Sequence, residues 1–161
     1  FIPADRRLQF HLHESSLGVV EDYAHHPTEI QASLSALEQM CPDWKKMIVF
    51  QPHRYSRTKA LWKDFVTTLQ EVGDEVLLLP IYAAHEEAID GLSTEKLAKQ
   101  IGSKAQTIPS VPTAKEVLER LPPSTDAKNL YVVLGAAPLT RLAKDLSAEL
   151  GSEEKSQASK K

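Results

Sequence analysis

The sequence predicts a three-layer α/β domain in which helices cover both faces of a mostly parallel sheet. Two observations lead to this fold class. Short runs of β-branched and aliphatic residues alternate along the chain with longer segments of helical apolar periodicity. The run at 76–79 (VLLL) is wholly aliphatic, which is typical of a central strand buried on both faces. An alternating order of strands and helices favours parallel pairing.

Six segments have the character of strands. The first two are separated only by the turn at 14–16 (ESS), so we expect an antiparallel hairpin at one edge of the sheet. Each of the other four leads into a helical segment, which predicts a twisted, Rossmann-like sheet of about six strands. The predicted strands are residues 8–13, 17–22, 47–51, 76–79, 106–108 and 130–134.

The predicted helices have recognisable start and stop signals. Pro27 stands in the first turn of the first helix, where its missing N–H costs no hydrogen bond. Ser56 or Thr58 is the expected N-cap of the second helix, which Gly73 ends. The remaining signals are Ser93 and Gly102 around the third helix, a capping box of Thr113 and Glu116 before the fourth, and Gly135 before the last.

Length and composition indicate one ordinary globular domain. The chain has 161 residues, of which 42% are hydrophobic and 25% charged. A net charge of −3 gives no overall basic field for nucleic acid, and no apolar run approaches the roughly 20 residues that span a bilayer. A single cysteine, Cys41, excludes an internal disulfide and favours a reducing, cytoplasmic setting.

The ends of the sequence suggest how the domain is bounded. We expect residues 1–150 to form the domain and residues 151–161, which lack an apolar period, to be a disordered tail. Because the sequence does not begin with Met, we expect it to be a piece of a longer protein.

The unusual polar residues fall in four loops that each follow a predicted strand. These loops span 22–28, 53–57, 82–87 and 135–138. Ligands of open α/β sheets bind outside the carboxyl ends of the strands. We therefore expect the four loops to lie along one edge of the sheet and to form one site.

Arg54 and Arg57 are the leading candidates for binding a ligand. Guanidinium groups stay charged and match carboxylate or phosphate, and a spacing of three near a helix start can place both on one face. Free N–H groups at the start of that helix would add to anion affinity. The alternative is a solvated surface pair, which the neighbouring His53, Tyr55 and Ser56 make less attractive.

The loop at 22–29 (DYAHHPTE) supplies further candidates. Adjacent histidines usually diverge, so one of His25 and His26 is expected to hydrogen-bond the loop and the other to face the ligand. Asp22 could orient a ribose hydroxyl, a metal-bound water or a histidine, or it could cap the helix that begins at Pro27. Tyr23 could stack on a base, although core packing is the simpler interpretation.

The remaining candidate site residues could equally have ordinary structural roles. His25 or His26 could form a metal cluster with residues on the same and neighbouring loops, namely Asp22, His53, His85 and Glu86. His85 and Glu86 could instead be ordinary polar loop residues. Arg6 and Arg7 precede the first strand, where a solvated pair is the default. The sequence has no phosphate-binding P-loop, dinucleotide fingerprint or nucleophile elbow. The chain can therefore bind an anion but lacks obvious machinery for transferring a phosphate.

The runs 22–29 (DYAHHPTE) and 50–58 (FQPHRYSRT) closely resemble the C-terminal domain of the Mur ligase family, in the branch that adds L-alanine to UDP-N-acetylmuramate. Residues 6–9 (RRLQ) resemble the linker arginine motif of the family, and 81–86 (IYAAHE) its Tyr-Ala-x-x-Glu loop. The resemblance covers about residues 1–150. Two departures are His85, where relatives commonly have Gly, and the run 135–138 (GAAP), where they commonly have Gly-Ala-Gly.

The resemblance implies a three-domain enzyme of bacterial peptidoglycan synthesis in the cytoplasm, of which this chain would be the last domain. ATP with Mg²⁺, bound mainly by a central domain, would phosphorylate the muramate carboxylate, and the amine of L-alanine would attack the acyl phosphate. This chain alone would be inactive, and it would bind no cofactor or metal of its own. By resemblance, the cofactor-binding residues are Arg7 and Asp22, and the substrate-binding residues are Tyr23, His25, His53, Arg54, Arg57 and Ala136.

Two other function classes stay open from the residues. The chain could be a stand-alone module that binds an anion or a nucleotide sugar, since the arginine pair needs no second domain to attract negative charge. It could also be a metal-dependent hydrolase that uses the histidine-rich loops. Neither nucleic acid nor a membrane is an expected partner.

Overall fold

The computed structural model describes residues 6–158, and six strands form its sheet. The strands are β1 (Gln9–His13), β2 (Leu17–Asp22), β3 (Trp44–Phe50), β4 (Glu75–Leu78), β5 (Ala105–Thr107) and β6 (Lys128–Leu134). Their spatial order is β1-β2-β6-β3-β4-β5. Among these described strands only β1 pairs antiparallel, with β2, and the other four pairings are parallel. The predicted sheet with an antiparallel edge hairpin is confirmed.

Helices cover both faces of the sheet and complete the three layers. One layer contains α1 (Pro27–Met40), α3 (Trp62–Glu71) and α4 (Thr94–Ile101), and the other contains α5 (Ala114–Arg120) and α6 (Thr140–Ala158). A short helix, α2 (Tyr55–Ala60), joins β3 to α3. Because side chains alternate along a strand, Val132 packs in the first layer and Val133 in the second.

The centre of the sheet is β6, which lies between β2 and β3. From Asn129 to Leu134 every residue of this strand is buried. Burying a Val or Leu side chain contributes roughly 1.5–3 kcal/mol relative to leaving it exposed, so this strand anchors both layers. Its carboxyl end therefore holds the following loop firmly against the ends of β2 and β3.

The second predicted helix differs from the structure in its start and in its continuity. Arg54, not Ser56 or Thr58, is the N-cap of α2, with φ at 73° and no side-chain cap. The Oγ1 of Thr58 instead donates to the carbonyl oxygen of Arg54 at 2.7 Å. The helix then breaks at Leu61, which ends α2 and precedes α3.

The expected disordered tail from residue 151 is instead helical as far as Ala158, where α6 ends. Glu, Lys, Gln and Ala are strong helix formers, and extending an existing helix avoids the cost of nucleating a new one. Residues 159–161 lie outside the part of the chain that the structure describes. Across residues 6–158, no helix combines the length and apolar character needed to cross a bilayer.

Candidate functional site

The four polar loops meet at one edge of the sheet, as predicted. The amide of Gln51 donates to the carbonyl of Leu134, and the amide of Gly135 donates to the carbonyl of Asp22. The amide of Arg54 donates to the carbonyl of Tyr82 at 2.7 Å, which ties the second and third loops together. Parallel strands place their carboxyl ends side by side, and these contacts join the loops that follow them.

Four aromatic rings form a continuous row across three of these loops; we call Tyr23, His25, His53 and Tyr82 the aromatic row. The rings of Tyr23 and His25 meet edge to face with centroids 5.4 Å apart, and those of His25 and His53 are 5.9 Å apart. The rings of His53 and Tyr82 are stacked at 5.5 Å. The sequence indicated the first three members, but it gave Tyr82 no role of its own.

Arg57 contacts the middle of the aromatic row. Its Nη1 lies 3.4 Å from Nδ1 of His53. A guanidinium can only donate, so Nδ1 of His53 accepts and its proton stays on Nε2. Burial, then His25 and the two arginines Arg57 and Arg54, lowers the pKa of His53 below its usual 6.5. His53 is therefore held as a neutral imidazole whose Nε2–H is available as a donor.

Arg54 extends from the site into solvent. Its side chain is exposed, and it is close enough to His53 and Glu86 to affect the pKa of both. Arg57 is half-buried, so the two arginines are not equivalent. Arg57 contacts His53, whereas Arg54 has an exposed side chain on a backbone that is hydrogen-bonded to Tyr82.

The two neighbouring histidines of the first loop diverge. The Nδ1 of His26 accepts from the amide of Thr28 and caps α1, while the carboxylate of Glu29 accepts from the amide of His26. The ring of His25 instead joins the aromatic row, and its Nδ1 lies 3.2 Å from the carbonyl oxygen of Tyr23. In neutral His25 the proton therefore sits on Nδ1 and leaves Nε2 as an acceptor.

Asp22 is buried and its carboxylate is already used by the backbone. One oxygen accepts from the amide of Ala24 at 2.8 Å and the other from the amide of Leu8 at 3.0 Å. Asp22 therefore fixes the loop that leads into the aromatic row and does not cap α1, whose cap is His26. Arg7 is exposed and makes no hydrogen bond or ion pair with the residues that the structure describes.

Arg6 is not the solvated residue that its position suggested. Its guanidinium donates to the carbonyl oxygens of Gly135 at 3.0 Å and Ala137 at 2.7 Å, with Ala136 at 3.4 Å. The same group lies 4.9 Å from the centre of the Tyr23 ring. Tyr23 is accordingly half-buried beneath Arg6 and is not a core residue, contrary to the simpler expectation.

The carboxylate of Glu21 forms an ion pair with Arg6. This carboxylate is fully buried and accepts from Nε of Arg6 at 3.1 Å and from the hydroxyl of Thr140 at 2.7 Å. Nε2 of His11 lies 3.0 Å from its second oxygen. A buried charge requires such partners, so this network holds the first and fourth loops together. Sequence reasoning missed Glu21 because a single Glu in a strand gives no signal of its burial.

The expected free N–H groups at the start of α2 are not all free. The carboxylate of Glu86 accepts from the amide of Ser56 at 3.0 Å and from its hydroxyl at 2.5 Å. These hydrogen bonds lower the pKa of Glu86 below the usual value for a glutamate. Glu86 is thus more than an ordinary polar loop residue, because it occupies the position where an anion could cap the helix.

The site as a whole favours an anionic ligand. Two guanidinium groups and the Nε2–H of His53 present donors at one edge, and Arg54 is open to solvent. Across the described residues, no group of three or more His, Cys, Asp or Glu side chains is arranged to hold a metal ion. The geometry therefore indicates carboxylate or phosphate binding by hydrogen bonds and charge.

Comparison with known proteins identifies the family. The family model described as "Mur ligase, glutamate ligase domain" matches residues 6–137. This chain belongs to the Mur ligase family. The matched residues include the first three loops of the site and residues 135–137 of the fourth.

Curated relatives and solved structures agree with this assignment. The UDP-N-acetylmuramate–L-alanine ligase of Desulfotalea psychrophila is 36% identical over 149 residues, which cover 92% of this chain and 32% of that protein. The ligase of the same name from Aquifex aeolicus is 35% identical over 95% of this chain and 32% of its own length. The present chain therefore spans about a third of these relatives.

The fold is also that of solved ligases. The structure of the UDP-N-acetylmuramate-alanine ligase of Thermotoga maritima has a TM-score of 0.66 at 23% identity, with 92% of this chain and 30% of that chain covered. A murein peptide ligase from Psychrobacter arcticus has a TM-score of 0.60 at 18% identity over 88% of this chain and 30% of its own. At sequence identities of 23% and 18%, these structural similarities show a shared fold and no more.

Proposed function

We propose that this chain is the amino-acid-binding C-terminal domain of an ATP-dependent ligase that joins L-alanine to UDP-N-acetylmuramate in the bacterial cytoplasm. The observation that carries the proposal is the convergence of Arg57, His53 and His25 at one sheet edge, beside an exposed Arg54. The names of the relatives support the substrates, since residues throughout the chain align with that ligase. The N-terminal and central domains of the enzyme would lie outside this chain.

Each site residue has a role that follows from its hydrogen-bonding state. Arg54 and Arg57 hold the carboxylate of alanine and the negative charge that develops beside it. The Nε2–H of neutral His53 donates to the same charge, while Nε2 of His25 can accept from the amine when only Nδ1 of that ring carries a proton. Tyr23 and Ala136 line one side of the proposed substrate site, and the guanidinium of Arg6 contacts both of them. Correct positioning of the amine against the activated carboxyl group would supply much of the rate enhancement.

The described residues do not fit the Mg²⁺ that the reaction implies. Magnesium prefers several oxygen ligands, yet both oxygens of Asp22 already accept from backbone amides. We therefore place Mg²⁺ and most of the ATP contacts in the domains outside this chain. Within it, Arg7 is the exposed group suited to a phosphate, and Asp22 acts by holding the backbone of Leu8 beside it.

The parent protein, in which this chain is joined to its upstream domains, provides the test. We expect phosphate release that depends on alanine, ATP and UDP-N-acetylmuramate together. Arg54→Ala should lower alanine-dependent turnover by on the order of 10² or more, the scale for one transition-state donor. Arg141→Ala is the matched control, because Arg141 is exposed and its one ion pair with a described residue is to Asp145, one turn away.

Two results would contradict the proposal. Turnover of Arg54→Ala equal to that of Arg141→Ala would remove Arg54 from the mechanism. Tight binding of a nucleotide sugar by the isolated chain, measured by calorimetry, would instead support a stand-alone binding module. A domain that works only by closing over substrates held elsewhere should bind such a ligand weakly by itself.

A further inference from the structure

The loop at 82–86 is attached to the start of α2 at both sides of Arg54. Ahead of Arg54, the amide of Tyr82 donates to the carbonyl of Pro52 at 2.8 Å, and the rings of His53 and Tyr82 are stacked. After Arg54, both oxygens of the Glu86 carboxylate accept from Ser56. The loop therefore contacts the backbone on both sides of the arginine that is expected to bind substrate.

This attachment matters because the backbone of Arg54 is in an unfavourable conformation. Its φ of 73° lies in the region that favours glycine, and such a residue persists only where its surroundings impose it. The structure supplies two constraints from the loop, which are the carbonyl of Tyr82 on the amide of Arg54 and the carboxylate of Glu86 on Ser56. Without the second constraint the first turn of α2 would lose its attachment to this loop on the side of Arg54 that carries Ser56.

The first turn of α2 also carries Arg57. Thr58 holds the turn from within, since its amide and its hydroxyl both donate to the carbonyl of Arg54. Movement at Ser56 would therefore displace Arg57 from Nδ1 of His53 as well as Arg54 from its present direction. Glu86 is a carboxylate at neutral pH, as an ordinary glutamate is, and its hydrogen bonds from Ser56 lower its pKa further, so both acceptor oxygens are available.

We propose that Glu86 is a positioning residue, which clamps Ser56 and thereby holds Arg54 and Arg57 in the geometry that binds the amino-acid substrate. This inference rests on the proposed function, because it assigns Glu86 to the same site. In this proposal Glu86 acts on no reacting group directly, because its carboxylate is hydrogen-bonded to Ser56. It acts through the backbone of α2, and it does so from a loop thirty residues further along the chain.

The test uses the parent protein with three variants. Glu86→Ala should lower kcat/KM for alanine by on the order of tenfold, while KM for ATP stays within about twofold, because only the arginine geometry changes. Ser56→Ala should show part of the same effect, since the amide contact remains. Glu86→Gln should recover much of the loss, because its amide oxygen still accepts from the amide of Ser56. The matched control is Glu87→Ala, which changes the exposed neighbour.

Several outcomes would overturn the positioning role. The role is refuted if Glu86→Ala and Glu87→Ala have equal kinetics. It is also refuted if Glu86→Ala raises KM for ATP and KM for alanine together and lowers the melting temperature. Tighter binding of alanine by Glu86→Ala would refute it as well. If the wild-type parent protein has no ligase activity, the proposed function is refuted, but the positioning role of Glu86 is not. In that case the positioning role is tested by NMR relaxation of the Arg57 side chain in the isolated chain. Greater Arg57 mobility in Glu86→Ala but not in Glu87→Ala supports the role. Unchanged mobility in Glu86→Ala refutes it.

Discussion

Replacing Arg6 by alanine should cost the domain a large part of its stability. Arg6 is the only partner of Glu21 with a permanent charge within the described part of the chain, and the Glu21 side chain is only 1% exposed. Breaking a buried ion pair by removing one partner typically costs about 3–5 kcal/mol, because the remaining charge is left uncompensated. The variant also loses the strong hydrogen bonds to Gly135 and Ala137.

The expected loss for Arg6→Ala is therefore about 3–5 kcal/mol, out of the 5–15 kcal/mol that a domain usually has. The contributions overlap, and water can reach the 16% exposed Arg6 side chain, so the bond energies are not added to this figure. For a chain of this size the melting temperature should fall by roughly 10 °C. Urea unfolding of the isolated chain, followed by circular dichroism, measures the free energy directly.

A double-mutant cycle isolates the charge effect. In a Glu21→Gln background the buried charge is gone, so Arg6→Ala should cost about 1–2 kcal/mol less than it does in the wild type. Arg141→Ala is the control, since an exposed ion pair one helical turn apart contributes about 0.5 kcal/mol or less. The reasoning is refuted if Arg6→Ala costs under about 1 kcal/mol, or if its cost is the same in both backgrounds.

Two further predictions concern the histidines of the site. Because its pKa is lowered, folded His53 stays neutral in a pH window below 6.5 where the unfolded chain binds a proton, so stability should fall as the pH drops through that window. Arg57→Ala should raise the pKa of His53 in an NMR titration, and an unchanged pKa would contradict the contact. His85 has φ at 72°, so His85→Gly should raise the free energy of unfolding by about 0.5–1 kcal/mol. A lower value in urea unfolding would show that the His85 side chain stabilises the loop.

Most of the fold could be predicted from local patterns. Strand order along the chain, Pro27 at the start of α1 and Ser93 as the cap of α4 all depend on residues that are close in sequence. The cap at Thr113 is present, although the carboxylate of Glu116 accepts from the Thr113 hydroxyl and the full reciprocal box is not formed. Local periodicity could not indicate the break at Leu61, where α2 and α3 meet.

The site was predictable in place but not in detail. A general rule for parallel sheets predicted that Arg54 and Arg57 would lie beside the other polar loops, as they do in the structure. The partners of Arg6 are carbonyl oxygens 129–131 residues away, and backbone carbonyls have no signature in a sequence. The same holds for Glu86, which accepts from the backbone amide of Ser56, thirty residues away. Contacts between a side chain and a backbone group far away in the sequence could therefore not be predicted.

The two outer strands of the sheet offer little unpaired backbone to a second copy of the chain. β1 has a register irregularity between Phe10 and Leu12, and β5 is only three residues long. Both features shorten the row of unpaired backbone groups that a foreign strand could join. The domain can therefore leave the polar loops of its candidate site open to solvent while offering little template for the intermolecular β-pairing that begins aggregation.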